Sequence, residues 1–249
     1  TYDPAFPQQA VRPLPSSSDI FQYESSGIFE QQQLQLNTVY RAGKNVTLWS
    51  TFTLNDSRSD TDSADTFPAD SYNVSTDFGK SSGQSRHTIY WGGWLRIHGG
   101  VELTPLVLWR SSIPFNITTG QDTNGDSLFT DRPAFATDLT RPSVVVTPLG
   151  TFDRSPMFGQ TIIPRNFGNA PGFFMVNLRA SKRVSFSERA SMTFSVQGTN
   201  ILNHTNPGNP IGNLGSSLFG TSNVSAGDWG LGSNQAGNRR FEAMVYFNY

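Results

Sequence analysis

An acidic stretch in the middle of the chain, DTNGDSLFTD, has residue types and a spacing that suit a metal ion. Asp122, Asn124 and Asp126 occupy positions 1, 3 and 5 of a loop, where alternating side-chain oxygens wrap calcium. The sixth position is Ser127 instead of glycine and the twelfth is a proline, so Asp131 at the tenth would have to supply the last carboxylate. These four oxygen-bearing residues form a candidate calcium site. The alternative is a loop of Asx-turns, in which the same side chains bond their own backbone.

Residues that could carry catalysis are few. The chain has no cysteine, which excludes thiol catalysis, a thiolate zinc site and a disulfide framework. Its three histidines, His87, His98 and His204, do not form an H-E-x-x-H pair. The net charge of -1 provides no basic stripe for nucleic acid. We therefore expect a protein that is not an enzyme, has no cofactor beyond the candidate calcium ion, and does not bind nucleic acid.

Strict alternation of apolar and polar residues dominates the chain and predicts an all-β fold. In the first such segment, Leu34, Leu36 and Tyr40 alternate with Gln33 and Gln35. We predict about seven strands of roughly ten residues, the length of a tilted transmembrane strand. The alternating segments are QQQLQLNTVYR, VTLWSTFTL, HTIYWGGWLRI, VELTPLVLWR, FFMVNLRASKRVSF, ASMTFSVQGTN and FEAMVYFNY.

Short and long connections alternate between these strands. We assign residues 20–55, 86–119, 172–202 and 239–249 to strands joined by short turns, residues 1–19 to a surface loop, and residues 56–85, 120–171 and 203–238 to long loops. In an up-and-down meander, alternate connections lie at opposite ends. All the short turns should then lie at one end, as do the periplasmic turns of outer-membrane barrels, with long extracellular loops at the other. The pattern predicts an antiparallel meander within a larger transmembrane β-barrel.

The chain closes on a strand whose two faces differ. Phe241, Val245, Phe247 and Tyr249 fall on one face. The residues between them are mostly polar and would face the lumen. The first set suits a face turned towards lipid, with the final tyrosine at the membrane interface.

Five stretches resemble the C-terminal part of the barrel of TonB-dependent outer-membrane receptors, of the Oar-like type that carries a carboxypeptidase-regulatory-like domain. They occur in the order found in that family and together cover most of the chain. The stretches are RPLPSSSDIFQYESSGIFEQQQL, PFNITTGQDTNGDSLFTDRPAF, NFGNAPGFFMVNLRASKRVSF, GTNILNHTNPGNPIG and RRFEAMVYFNY.

The resemblance implies a non-enzymatic uptake receptor in the outer membrane of a Gram-negative-type bacterium. Such barrels have about 22 strands around an N-terminal plug, whereas this chain contains about seven strands and no recognisable plug, so we interpret it as a segment of a longer receptor. The implied partners are outer-membrane lipid, an unknown extracellular ligand contacted by loops 120–171 and 203–238, and TonB acting through the missing plug. The resemblance also implies that Phe241, Val245, Phe247 and Tyr249 form the signal that the barrel-assembly machinery reads.

A secreted soluble β-sandwich, acting as an adhesin or carbohydrate-binding module, is the alternative hypothesis. It would use the same alternation to bury one face of each strand against a second sheet and to leave the other face in water. The two hypotheses differ in whether the apolar face is covered by protein or by lipid.

Overall fold

The structure is a computed structural model that describes residues 22–71, 73–226 and 237–249. The predicted surface loop 1–19, and residues 227–236 of the predicted loop 203–238, lie outside the described residues. In the three described ranges, two short 3-10 helices, Val74–Asp77 and His98–Gly100, accompany the strands. Within the described ranges, no helix has the length and apolar character needed to cross a membrane.

One antiparallel sheet of seven long strands, each hydrogen-bonded to the next long strand along the chain, forms the body of the protein. The predicted all-β meander is confirmed. The long strands are β1 (Phe29–Ala42), β2 (Val46–Ser59), β4 (His87–Ile97), β5 (Val101–Arg110), β11 (Phe173–Ser185), β12 (Ser191–Thr199) and β13 (Arg240–Asn248). Strands β1 and β13 form the two edges, and no other described strand pairs with their outer sides.

Turn chemistry explains the tight connections at one end of this sheet. The β4–β5 turn contains Gly99 and Gly100, both with positive φ, 80° and 73°. Glycine adopts this left-handed backbone without strain, which lets the chain reverse over three residues. Residues 43–45, 98–100 and 186–190 therefore connect strands at a short-turn end, and residues 60–86, 111–172 and 200–239 connect them at a long-connection end.

Strand register places the alternating apolar residues on one side of the sheet, here called the apolar face. Leu36 pairs with Phe52, Phe52 with Ile89, Ile89 with Trp109, and Trp109 with Phe174, so one continuous row crosses five strands. Paired residues of an antiparallel sheet point to the same side. This face is not covered by the rest of the described chain. Its exposed members include Leu34, Leu36, Tyr40, Phe194, Val196, Phe241, Val245 and Phe247.

The opposite side, here called the polar face, carries the intervening residues. Gln33 pairs with Asn55, Gln35 with Thr53, and Asn37 with Thr51. Near the long-connection end, the polar face also bears an apolar island. The island consists of Leu106, Leu108, Phe173, Met175 and Tyr90, covered by Ala226 from the β12–β13 connection.

The long connections contain more structure than the predicted loops. They hold β3 (Gly79–Lys80), which pairs with β2, and five more short strands. These are β6 (Pro114–Phe115) paired with β10 (Gly168–Asn169), and β8 (Val144–Thr147), β9 (Gly150–Asp153) and β7 (Ala134–Phe135) in a three-stranded sheet.

Three strand boundaries also differ from the sequence assignment. β1 begins at Phe29 instead of residue 20, and β2 runs on to Ser59 because its end pairs with both β1 and β3. β5 ends at Arg110 instead of residue 119, because the chain then leaves the main sheet and Pro114–Phe115 pairs with β10.

Candidate functional site

Near the long-connection end, the polar face of β1, β2 and β4 carries mainly uncharged amide and hydroxyl side chains. On β1 these are Gln31, Gln33, Gln35 and Asn37, here called the amide track. Side-chain hydrogen bonds tie the track to β2, since Gln31 donates to Asn55 at 2.7 Å and Thr51 donates to Asn37 at 2.8 Å. The result is a preorganised neutral surface that runs along the strands from the long-connection end.

A pocket of about 270 Å³ opens on this surface near the long-connection end. Its polar lining comes from strands β1, β2 and β4, together with the last residues of the β2–β4 connection. The lining side chains include Gln33, Thr53, Asn55, Gln84, Ser85 and Thr88. Tyr90 also lines the pocket and supplies its aromatic surface.

Hydrogen bonds hold the buried part of the lining in place. Asn55, 5% exposed, donates to Gln84 Oε1 at 3.0 Å. Ser85 and Thr88 are each 8% exposed, and their hydroxyl groups hydrogen-bond to one another at 2.9 Å. Buried polar groups that are paired in this way hold a fixed orientation. The pocket is therefore a polar site whose buried side chains are held in position by their own hydrogen bonds.

Arg96 and Glu102 lie opposite each other on the same face, near the short-turn end. Arg96 donates to Glu102 at 2.9 Å, and the Trp94 indole N–H donates to the same carboxylate at 3.2 Å. The Arg96 guanidinium also lies 4.8 Å from the centre of the Trp94 ring. On β4 the polar face thus changes from neutral at the pocket to charged near the short-turn end, whereas on β5 the buried Arg110 lies beside Thr88 at the long-connection end.

The long connections pack into a folded unit, here called the loop cap, made of residues 60–71, 73–86, 111–172, 200–226 and 237–239. Its hydrophobic core contains Phe152, fully buried, with the rings of Phe135 and Phe167 at 6.2 and 5.9 Å from the Phe152 ring. Other buried core members are Ile113, Phe115, Ile117, Ile163, Ala170 and Leu214. Burial of this many apolar side chains stabilises a defined conformation of the connections.

Ion pairs join separate connections within the cap. Arg132 pairs with Asp77, and both side chains are about 95% buried. Arg165 pairs with Asp62 at 2.6 Å and also donates to the Ser59 carbonyl at the end of β2. Both pairs link the β5–β11 connection to the β2–β4 connection. Sequence reasoning missed these residues, because no local pattern indicates partners that are 55 and 103 positions apart.

Two asparagines in the stretch GTNILNHTNP anchor the start of the β12–β13 connection. Asn206 Oδ1 accepts from the Phe174 N–H at 2.8 Å, and its Nδ2 donates to the Phe174 carbonyl at 3.0 Å. Asn200, fully buried and with φ 48°, donates to the carbonyls of His204 and Gly237. The His204 ring packs edge-on against Phe174 at 5.7 Å. This histidine lies in a structural anchor.

The candidate calcium loop is folded around its own side chains. Both oxygens of Asp122 accept backbone N–H groups, those of Gly125, Asp126 and Ser127. Asp131 accepts from the Thr123 N–H at 2.7 Å. These are the Asx-turn contacts of the alternative interpretation. In the part of the chain that the structure describes, no three acidic, histidine or cysteine side chains are grouped to hold a metal, and a calcium site at Asp122, Asn124, Asp126 and Asp131 stays a prediction.

Burial changes the acidity of this loop. Burial raises the pKa of Asp131 to about 6, and the neighbouring carboxylates of Asp126 and Asp122 act in the same direction. The pKa of Asp126 is also raised, first by burial. Desolvation disfavours the charged form of a carboxyl group, which explains the direction of both shifts.

The segment GKSSG, residues 79–83, matches the G-x-S-x-G pattern of a nucleophile elbow, a match that sequence reasoning overlooked. That elbow requires a strand, a sharp turn and then a helix. Here β3 is followed by a turn at residues 82–83 and then by β4. The Ser81 N–H donates to the Ser57 carbonyl of β2. The pattern therefore belongs to a strand connection without the geometry of an elbow.

The last strand lies at an edge of the sheet with its apolar side chains on the apolar face. Phe241 pairs with Gly198, Val245 with Phe194, and Phe247 with Met192. Tyr249 follows the end of β13 and is 97% exposed, with its ring 6.2 Å from that of Phe247. On the polar face, Arg240 pairs with Glu242. The predicted division of this strand into two faces agrees with this register, whereas the assembly signal stays a prediction.

Comparison with protein families matches residues 1–229 to an outer membrane beta barrel domain. The chain belongs to this family. Comparisons with curated proteins and with solved structures find no match.

An outer membrane β-barrel explains why the apolar face is bare. In such proteins this face contacts lipid, and the intervening residues line the interior. The chain is accordingly a protein of the outer membrane, as predicted. The soluble β-sandwich hypothesis is wrong, because a sandwich covers the apolar face with a second sheet. Here no second sheet lies on that face among the described residues.

Proposed function

We propose that the chain forms part of the wall of a TonB-dependent uptake receptor similar to the Oar-like receptors, and that transport through it is non-enzymatic. The family of outer membrane β-barrels is the starting point, and the five stretches quoted above supply the resemblance to this receptor class. In this proposal the long-connection end faces the outside of the cell and the short-turn end faces the periplasm.

The observation that carries the proposal is the way the loop cap reaches the interior side of the sheet. Ala226, from the β12–β13 connection, packs on the apolar island formed by Leu108, Phe173 and Met175 of the polar face. A barrel that works as an open diffusion pore keeps a wet lumen. Connections that fold onto the inner wall instead favour a gated receptor, in which ligand is first bound and then released inwards.

The edges of the sheet fit a larger barrel. Seven consecutive antiparallel strands leave β1 and β13 running in the same direction, so the two edges cannot join to each other as antiparallel neighbours. An unpaired strand edge is unfavourable in the hydrocarbon layer, because its backbone groups find no hydrogen-bonding partners there. Bacterial single-chain barrels also have even strand numbers. An odd number of further strands would satisfy both conditions, which agrees with a barrel of about 22 strands.

The proposed partners follow from this arrangement. Lipid contacts the apolar face, the barrel-assembly machinery reads the last strand at Phe241, Val245, Phe247 and Tyr249, and an extracellular ligand contacts the loop cap and the polar face. TonB would act through a plug inside the complete barrel, and this step comes from the resemblance.

Uptake in the presence and absence of TonB tests the proposal. Cells that produce the full-length protein are supplied with labelled candidate ligands, including ferric chelates, oligosaccharides and peptides. We expect accumulation of one class, and its loss both when TonB is deleted and when the proton gradient is dissipated. Accumulation that continues without TonB would contradict the receptor proposal and favour a passive pore.

A further inference from the structure

We propose that the pocket between β1, β2 and the end of the β2–β4 connection binds a sugar ring of a neutral carbohydrate. This ligand class rests on the proposed function, in which an extracellular ligand contacts the polar face. Three properties of the pocket support a neutral sugar, namely its neutrality, its hydrogen-bonding groups and its aromatic surface.

The neutrality of the pocket extends well beyond its lining. The described strands present no charged side chain to the polar face between Gln31 and Val39 on β1, between Thr47 and Ser59 on β2, or between Thr88 and Trp94 on β4. Arg110 of β5, the cross-strand partner of Thr88, also lies on this face, but it is buried, with its guanidinium 5.5 Å from the centre of the Phe173 ring. An anionic ligand, such as a ferric chelate or a phosphorylated sugar, would find no exposed counter-charge on these stretches of β1, β2 and β4. Desolvation of an unpaired charge is costly, so the surface selects for neutral ligands.

The hydrogen-bonding groups of the lining match hydroxyl groups. Gln33 and Gln84 offer amide donors and acceptors, and the Thr53 hydroxyl can rotate to act as either. Gln84 Oε1 already accepts from Asn55, which orients the Gln84 amide nitrogen as a donor. A sugar hydroxyl also donates and accepts at one atom. Lining and ligand are therefore complementary at each contact.

Aromatic residues provide the remaining kind of contact. Tyr90 lines the pocket, and Trp49 lies on the same polar face further along β2. The Trp49 ring sits so close to Gly92 that a Cβ at that position would be 2.5 Å from Trp49 Cζ2. A sugar ring has an apolar C–H side that packs on aromatic rings, whose amphipathic character suits polar binding sites. A peptide would require apolar subsites for its side chains, and Tyr90 is the one large apolar group of the lining.

The size of the pocket limits what it can hold. At about 270 Å³ it lies just under the range of roughly 300–1,000 Å³ usual for drug-sized ligands. It would therefore hold a single ring of a longer chain, and the amide track gives the neighbouring rings polar contacts along β1. The pocket and the track together form an entry point for an oligosaccharide.

Direct binding to the full-length protein tests the inference. The protein is purified from outer membranes in a detergent that has no sugar headgroup, and titrated calorimetrically with maltotriose, cellotriose and mannotriose. Trigalacturonate serves as the charged counterpart and tetraalanine as the peptide counterpart. We expect saturable binding of at least one neutral trisaccharide, and weaker or no binding of the other two probes.

Variants on the two faces of β1 provide a matched comparison. Gln33→Ala and Gln84→Leu remove pocket amides and should each weaken trisaccharide binding by roughly tenfold, as expected when hydrogen bonds to a bound ligand are lost. Gln84→Glu keeps the size of the side chain and adds a charge, and should weaken binding as well. Gln32→Ala changes the same residue type on the opposite face of the strand and should leave binding unchanged. Heat-dependent migration of the folded barrel on gels verifies that each variant is folded.

The outcomes separate this inference from the proposed function. No saturable binding of the three neutral trisaccharides, tighter binding of trigalacturonate or tetraalanine, or equal effects of Gln33→Ala and Gln32→Ala would each overturn the carbohydrate site. The titrations contain no TonB. Trisaccharide binding that persists while cellular uptake is independent of TonB would retain the site and contradict the receptor proposal.

Discussion

Arg132 and Asp77, 55 positions apart in the chain, form an ion pair in which the side chains are only 5% and 4% exposed. The pair joins two separate connections. Arg132 also donates to the carbonyls of Thr76 and Ile163, and Asp77 accepts from the Ala69 N–H. The guanidinium and the carboxylate are thus bonded on several sides. One buried contact fixes how the β2–β4 and β5–β11 connections meet in the loop cap.

Removing one member of this pair should open the cap while leaving the strands intact. Arg132→Met leaves the Asp77 carboxylate buried without its counter-charge, a situation that costs about 3–5 kcal/mol. We expect limited proteolysis of outer-membrane vesicles to cleave residues 60–86 and 111–172 much faster than in the wild type. The double variant with Asp77→Leu should recover much of the protection. An unchanged cleavage rate in Arg132→Met would show that the pair does not hold the cap.

An exposed pair gives the matched control. Arg58 and Asp56 lie 4.0 Å apart near the end of β2 with side chains 58% and 67% exposed. Surface pairs of this kind contribute less than about 1 kcal/mol. Arg58→Met should therefore leave the proteolytic pattern of the cap close to that of the wild type.

The buried carboxyl group of Asp131 should make the cap sensitive to pH. The pKa of Asp131 is about 6 in the folded cap, above its ordinary value of 3.8. Between about pH 4 and about pH 6, Asp131 is therefore mostly protonated in the folded cap and mostly ionised in the open cap. The stabilisation is therefore present below about pH 4 and is lost as the pH rises through about 6. Hydrogen exchange, corrected for the intrinsic effect of pH, should detect more cap opening at pH 7 than at pH 5.

Asp131→Asn should reduce this pH dependence, since the amide oxygen can still accept from the Thr123 N–H but does not titrate. A smaller dependence of the same sign should remain, because the pKa of Asp126 is raised as well. Asp138→Asn is the control, because Asp138 is exposed and its pKa is lowered by its hydrogen bonds to Thr140. If the wild type and Asp131→Asn opened equally at both pH values, the buried carboxyl group would have no part in cap stability.

The sheet could be predicted from the sequence because each strand is encoded by an alternation of neighbouring residues. Leu34 and Leu36, for example, lie together on the apolar face because they are two positions apart on one strand. Their partners Leu54 and Phe52 have the same spacing on β2. A period of two fixes both the strand and the side to which each residue points. Strand order followed from the tight turns, such as the one at Gly99 and Gly100.

The loop cap could not be predicted because its contacts are distant and aperiodic. Phe152 packs with Phe135 and Phe167, and Asn124 donates to the Ala69 carbonyl across 55 positions. No repeat in the chain relates these residues. The pocket was missed for the same reason, because Gln33 and Gln84 come from segments that only the strand register and the β2–β4 connection bring together.

The Asn206 anchor should control the order of the β12–β13 connection. Asn206→Ala removes both bonds to the backbone of Phe174 and leaves a buried N–H and carbonyl without these partners, at a cost of about 1–3 kcal/mol for each group. We expect faster hydrogen exchange at the Phe174 amide and in residues 200–226. Asn223→Ala, at an exposed position of the same connection, should not change either. Equal exchange in the two variants would contradict the anchoring role.

The proposed assembly signal can be tested at the end of the chain. Tyr249 is 97% exposed and lies beside Phe247, so its replacement disturbs no internal packing. If the barrel-assembly machinery reads this aromatic end, Tyr249→Ala should lower the amount of folded protein in the outer membrane and raise the amount degraded in the periplasm. Asn248→Ala, one position earlier and on the polar face, should have little effect. Similar amounts of folded protein from both variants would count against the signal.

Two neighbouring residues of β13 should distinguish the lipid side of the wall from the inner side. Val245 lies on the apolar face opposite Phe194, and Met244 lies on the polar face opposite Ser195. A lysine on the lipid side near the middle of the membrane costs about 2–4 kcal/mol, whereas a lysine on the inner side remains in contact with water. Val245→Lys should therefore lower the folded fraction during refolding into lipid vesicles and reduce the urea concentration needed to unfold the barrel. Met244→Lys should behave like the wild type. The reverse order of stability would mean that the two faces had been assigned to the wrong sides of the wall.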